Sequence, residues 1–246
     1  MKSLKLPLAV ATIVLFVFLG QLTAESAQAT NDFAAFKNKM SALPAKQESV
    51  ARMAMSSIMP LVAINNQLQS DKDNLLVPIN GDPGAGIKFK RIKTQYGDLN
   101  KDGMVEKYSL QDGQLVISIA GVTIWESPEN WWVDSFVLGD ANNDGTSDLN
   151  LSVWKVGSFG PCKPFWVQEE DLSIKNHLFI FNLVGNTVKP LWQSSNLDRP
   201  NYEICLGDMD GDGKNELVTL EGDYADRQHR QIGVWQWNRW GFSRLR

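Results

Sequence analysis

From Ile87 to the C-terminus the chain consists of short apolar runs rich in Val, Ile, Phe, Trp and Thr, broken by turn residues at close intervals. The runs come in a fixed order. Lead runs at Lys88–Tyr96, Val133–Leu138 and Tyr202–Leu206 are each followed by Gly-Asp. Second runs begin at an acid: Glu106–Leu110, Asp148–Trp154 and Glu216–Leu220. The latter two alternate apolar and polar residues, as half-buried strands do. A strand–turn–strand unit closes each set. Leu115–Ile119 turns at Ala120-Gly121 into Val122–Trp125. Leu178–Phe181 turns at Gly185-Asn186 into Val188–Trp192. Ile232–Trp237 turns at Asn238-Arg239 into Trp240–Arg244. The pattern predicts a mainly β fold: a propeller-like array of three four-stranded repeats, spanning about 87–131, 132–200 and 201–246.

The N-terminal part has another period. Phe33, Phe36, Met40 and Leu43 share one helix face, with Asn31 or Asp32 as cap and Pro44 as stop. A second helix is expected from Ala45 to about Asn66, carrying Val50, Met53, Ala54, Ile58, Leu61 and Ile64, with Pro60 ending or kinking it. The Met-rich stripe between Met40 and Met59 reads as core packing rather than a docking face. Residues 30–80 are therefore expected to be a short helical segment, and Asn80–Gly86 a turn-rich linker. Residues 1–29 read as a signal peptide: Lys2 and Lys5, an apolar run from Leu8 to Gly20, then Ala27-Gln-Ala29 as a cleavage site. An uncleaved anchor is the competing reading. The apolar run is short for a span, which needs about 20 residues, and no later stretch could cross a membrane. The expected location is the cell envelope or the exterior.

Charge sharpens this picture. The net charge is −4, and most of the acidic excess lies in three loops between the first and second runs. No basic stripe is visible, which argues against a nucleic-acid partner. The loops read Asp98-Leu-Asn-Lys-Asp-Gly-Met-Val-Glu106, Asp140-Ala-Asn-Asn-Asp-Gly-Thr-Ser-Asp148 and Asp208-Met-Asp-Gly-Asp-Gly-Lys-Asn-Glu216. Oxygen ligands at alternate positions, a Gly for the sharp turn, then a carboxylate are what a hard cation such as Ca²⁺ takes. Side chains at positions one, three, five and nine and the carbonyl at seven would supply the ligands. In the first loop these are Asp98, Asn100, Asp102, the Met104 carbonyl and Glu106. In the second they are Asp140, Asn142, Asp144, the Thr146 carbonyl and Asp148. In the third they are Asp208, Asp210, Asp212, the Lys214 carbonyl and Glu216. The third loop has the most acids and is expected to bind tightest. An EF-hand is excluded by its twelfth position, which is Ser109, Leu151 and Thr219 here, and by flanks that read as strands. Up to three Ca²⁺ ions with a structural role are expected.

Three such loops, each between a lead strand ending in Gly-Asp and a following strand, resemble the calcium loops of FG-GAP/VCBS-type repeats. The resemblance covers about Ile87 to Arg246. It implies an integrin-α-like β-propeller architecture, calcium binding and an exported adhesion or interaction protein of the bacterial type. Three units are too few for a seven-bladed ring. Closure would need the N-terminal part, partner chains or a small open array.

Other candidate chemistry is thinner. The loops start at 98, 140 and 208, and the wider second spacing reflects an insertion at Lys155–Asn176. Phe165 and Trp166 within it, with Trp131, could stack on a sugar ring or a protein partner. Trp125, Trp192, Trp235 and Trp237 read as core. Cys162 and Cys205 either form one disulfide or stay as buried thiols. His177 and His229 are the two histidines, and no nucleophile–base–acid order accompanies them, so no catalytic residue is assigned. The expected function is a calcium-binding interaction module for a protein or polysaccharide, with self-association open. The alternative is a polysaccharide-processing enzyme, or an accessory domain of one, using Glu169, Glu170 or Asp171.

Overall fold

The structure is a computed structural model and describes residues 60, 76–78, 87–89, 91–159, 163, 165–169, 171–226 and 229–245. The expected signal segment and helices lie outside the described residues, apart from Pro60, which is helical. No helix among the described residues is long and apolar enough to cross a membrane.

A short hairpin comes first: β1 (Leu76–Pro78) pairs antiparallel with β2 (Ile87–Phe89). Three four-stranded antiparallel sheets follow, each from one contiguous stretch. The first contains β3 (Ile92–Gly97), β4 (Glu106–Gln111), β5 (Gln114–Ile119) and β6 (Val122–Glu126). The second contains β7 (Trp132–Gly139), β8 (Asp148–Val156), β9 (Ile174–Val184) and β10 (Thr187–Gln193). The third contains β11 (Asn201–Gly207), β12 (Glu216–Glu221), β13 (Gln231–Trp237) and β14 (Phe242–Arg244). Strands run in chain order across each sheet, and no sheet closes into a barrel. The expected lead strand Lys88–Tyr96 is in fact two elements, β2 and β3. The insertion is shorter than the sequence suggests, because Lys155 and Val156 pair with Lys175 and Ile174 and extend the sheet into it.

Burial shows how the sheets stack. In β4 and β5 buried residues alternate with less buried ones: Tyr108, Leu110, Leu115 and Ile117 face inward, while Lys107, Ser109 and Gln111 face out. Their apolar face packs on Phe136, Leu149, Leu151, Val153, Phe179 and Phe181 of the second sheet. Trp125 lies 6.2 Å from Phe181, and Trp131 5.2 Å from Phe179. The other face of the second sheet meets the third: Leu178 clusters with Ile204 and Leu217, flanked by Trp192, Trp235 and Phe242. Trp192, Trp237 and Phe242 meet edge to face at 5.2–5.6 Å.

The second sheet is therefore covered on both faces. This overturns the expectation that β8 is half-buried: seven successive residues, Asp148 to Trp154, are buried. All six residues of β12 are buried as well. The polar residues of these alternations are hydrogen-bonded inside. Asn150 donates to the carbonyls of Val137 and Gly139 at 3.2 and 3.0 Å. Ser152 donates to the Asn201 carbonyl, and Asn201 N donates to Asn176 Oδ1 at 3.0 Å. A buried polar group is tolerated when it has such a partner.

The first strands of the three sheets converge. Four residues before Gly97, Gly139 and Gly207 stand Lys93, Ser135 and Glu203. Lys93 Nζ lies 3.0 Å from Glu203 Oε1 and 3.4 Å from Ser135 Oγ, and Ser135 Oγ donates to the same Glu203 oxygen. Arg91 joins them: its Nη1 donates to the Asp134 carbonyl at 2.9 Å and to the Tyr202 carbonyl, and lies 3.5 Å from Glu203 Oε2. Glu203 is 4 % and Arg91 6 % exposed, so solvent screens that pair little, while the Lys93 side chain is 28 % exposed. Beside this hub the buried Asp134 carboxylate accepts the indole N–H of Trp154 at 2.6 Å and of Trp132 at 3.2 Å.

Removing one member of a buried ion group leaves its partners' charge uncompensated, at a cost of about 3–5 kcal/mol. Glu203→Ala is expected to lose about 3 kcal/mol or more in urea denaturation, and Ser135→Ala about 1 kcal/mol. A Glu203→Ala protein as stable as the parent would remove the hub from the stabilising interactions.

Candidate metal centre

The three acidic loops connect the first strand of each sheet to the second: β3 to β4, β7 to β8, and β11 to β12. Their backbones match. Position four has a positive φ in each: 59° at Lys101, 57° at Asn143 and 83° at Gly211. The Gly at position six repeats this, at 88°, 88° and 86° for Gly103, Gly145 and Gly213. Gly is the residue that takes this conformation without steric cost. The side chains at positions one, three and five then fold back on the loop. Asp98 Oδ1 and Oδ2 accept from Asp102 N at 3.1 Å and Gly103 N at 2.9 Å. Asp140 does the same with Asp144 N at 3.0 Å and Gly145 N at 2.8 Å. Asp208 accepts from Gly211 N at 2.6 Å and Gly213 N at 3.0 Å. Asn100 and Asn142 accept from Asp102 N and Asp144 N, and Asp210 from Asp212 N. Asp102, Asp144 and Asp212 accept from Met104 N, Thr146 N and Lys214 N, each at 2.8 Å.

Position nine differs from the rest because it is buried. Glu106 and Glu216 are 0 % exposed and Asp148 1 %. One oxygen of each Glu is tied to the second residue of its loop: Glu106 Oε2 accepts from Leu99 N at 2.9 Å, and Glu216 Oε2 from Met209 N at 2.7 Å. The other oxygen, Oε1 of Glu106 and of Glu216, accepts no hydrogen bond, and neither does Asp148 Oδ2. Burial raises the pKa of the Glu106 carboxyl, with Asp98 and Asp102 adding to the rise. Burial likewise raises Glu216, with Asp210, Asp212 and Asp208 contributing. Asp148 is pushed up to about 7 by burial, then by Asp144 and Asp140.

A buried carboxylate oxygen with no donor, facing other carboxylates, costs free energy. A cation held between them removes that cost, so the residues fit a hard divalent ion with oxygen ligands. Ligand oxygens of Asp98, Asp102 and Glu106 lie within 4.8 Å of one another, as do those of Asp208, Asp210 and Asp212. The three acids of the second loop form no such group among the described residues. Its ninth residue is Asp, one methylene shorter than Glu.

No protein-family model matches this chain, and no curated protein matches it.

The structure separates the three aromatic residues expected to form a ligand platform. Phe165 and Trp166 are 93 % and 69 % exposed, with ring centroids 4.9 Å apart, edge to face. Trp131 packs into the core on Phe179 and Phe181. Of the two cysteines, Cys205 carries a free thiol on β11, and Cys162 lies outside the described residues. Burial, then Glu203, pushes the Cys205 thiol up to about 12, which makes it unreactive at neutral pH. His177 is fully buried, with Nδ1 3.2 Å from the Ser194 carbonyl; burial, then Lys155, lowers its pKa to about 4. Asp171 accepts from Ser173 N at 2.9 Å and from Asn196 Nδ2 at 3.0 Å. Its bonds to Ser173 hold the carboxyl below the usual range, the opposite of the raised pKa a glycosidase acid needs. Glu169 is exposed, and Glu170 lies outside the described residues.

Sequence reasoning missed two groups of residues. Asn143 and Asn215 join the second and third loops, and Lys93, Ser135 and Glu203 make the hub. The hub positions share one register relative to the loop Gly, so aligning the repeats would have exposed them.

Glu106→Gln keeps an oxygen for Leu99 N and turns the unpaired oxygen into an amide donor facing Asp98 and Asp102. In chelator the variant is expected to be more stable than the parent by about 1 kcal/mol, read from thermal denaturation. A less stable variant would show that the carboxylate has a partner the geometry does not account for.

Proposed function

We propose that the chain is an exported, Ca²⁺-stabilised interaction module of FG-GAP/VCBS type, in which the three sheets are blades of a propeller-like array. The observation that carries the metal reading is the buried, unpaired oxygen of the ninth-position carboxylate in three loops of matching backbone. Each ion would be held by that oxygen with the side-chain oxygens at positions one, three and five, an amide at position three in the first two loops and a carboxylate in the third, and the carbonyl at position seven, pinning the turn between first and second strands. Ca²⁺ fits better than Mg²⁺ because the ligand set is all oxygen and mostly from the protein, whereas Mg²⁺ keeps several waters. The blade reading is supported by the meander order of each sheet and by the meeting of Lys93, Ser135 and Glu203, equivalent positions on the three first strands. Export rests on the signal-like pattern of residues 1–29.

With architecture assigned to the ions, recognition falls to the insertion between β8 and β9. Phe165, Trp166 and Leu172 are 93 %, 69 % and 69 % exposed there. Exposed aromatic rings suit a protein partner or the apolar face of a sugar.

Both halves can be tested on one preparation. Ca²⁺ is expected to raise the melting temperature by several degrees and EDTA to reverse the rise, as any ligand of the folded state does by mass action. An unmoved transition would end the metal reading. Trp166→Ala is expected to keep that transition while losing at least tenfold in affinity for a partner captured from an envelope and glycan panel, measured by biolayer interferometry. Unchanged affinity would move recognition away from the insertion.

A further inference from the structure

We propose that the second and third acidic loops form a coupled pair of cation sites, with Asn143 and Asn215 as the positioning residues that link them, and that the first loop binds independently. The inference rests on the cation reading above. Asn143 is position four of its loop and Asn215 position eight of its own, so neither is a ligand position. Asn143 Oδ1 accepts from Asn215 N at 2.7 Å, and Asn143 Nδ2 donates to the Asn215 carbonyl at 3.0 Å. One side-chain amide thus grips both polar groups of the Asn215 backbone. In return Asn215 Nδ2 donates to the Asp140 carbonyl at 2.9 Å.

These bonds touch residues that matter to both sites. Asn215 directly precedes Glu216, whose Oε1 is buried and unpaired. Asp140 is the first ligand of the second loop, which ends in Asp148 with its own unpaired Oδ2. Asn143 holds φ at 57°, in the left-handed region that Asn enters more readily than most residues. Ordering of one loop by an ion fixes Asn143 or Asn215 and so orders the other. The second ion then meets a loop whose conformational entropy is already lost, which makes binding positively cooperative. The coupling is reciprocal by linkage.

The first loop lacks the device. Lys101 and Val105 occupy the two equivalent positions, and both are exposed. Its bond to another element runs from Asn100 Nδ2 to the Gly185 carbonyl at 3.1 Å, in a β9–β10 turn that carries no acidic loop.

The test is calorimetric titration of the full chain with CaCl₂. The parent is expected to show one independent site and two linked sites, the second of the pair binding about tenfold tighter than the first. Asn143→Gly accepts the positive φ and removes both side-chain bonds. It is expected to keep the stoichiometry and abolish the tenfold difference. Asn215→Ala, which removes the bond to Asp140, should reduce it. Glu106→Gln should delete the independent site and leave the linked pair. A purely structural role for the two Asn would lower stability or all affinities together without changing the ratio of the linked constants. Three independent sites in the parent, or cooperativity that survives in Asn143→Gly, overturns the proposal. No Ca²⁺ binding at any site overturns the cation reading itself.

Discussion

The arrangement of the three sheets depends on one buried carboxylate. Glu203 faces a lysine from the first sheet, a serine from the second and an arginine just ahead of β3. Each sheet alone could slide along its apolar face, since dispersion and hydrophobic contacts are not directional. Charge-assisted hydrogen bonds in a dry site are directional and leave few alternatives. The hub therefore sets where the sheets sit, while Leu, Phe and Trp side chains supply the area that holds them there. The two indoles on Asp134 extend this polar order outward along β7.

The acidic loops solve a different problem. A turn of nine residues with two left-handed positions is costly in conformational entropy, and its carboxylates repel. Nearly every side-chain oxygen at positions one, three and five is used to tie the loop's own amides. That prepares a shape, and the oxygen left over is the buried one at position nine. The fold places this oxygen at the start of the second strand, in the layer where water cannot reach it.

Much of this was legible in the sequence. Strand starts at Glu106, Asp148 and Glu216 matched the paired strands, because acid–glycine loops mark their own ends. Turns at Gly185 and at Ala120-Gly121 matched for the same reason. The burial of β8 was misread, since Asn150 and Ser152 look like solvent-facing residues until their carbonyl partners are seen. Periodicity reports polarity, and a polar residue in a sheet covered on both faces is polar and buried at once. The Lys88–Tyr96 run contained no Gly or Pro to mark the break between β2 and β3. At the acidic loops the matching acid and glycine positions were legible from spacing, whereas the Asn143–Asn215 link was not, because it joins residues 72 apart.

The sheets are contiguous in sequence, so the hub is where the long loops of the chain are closed. Its bonds span 42, 68 and 110 residues. Loop-closure entropy rises only with the logarithm of length, about 0.6 kcal/mol for each doubling. The segment between β8 and β9 lies within the longer of these closures. Additional residues there add little to the closure cost and disturb neither the hub nor the acidic loops. The segment between β8 and β9 can thus change in length and composition at almost constant stability, while the first strands keep the contacts that fix the three sheets.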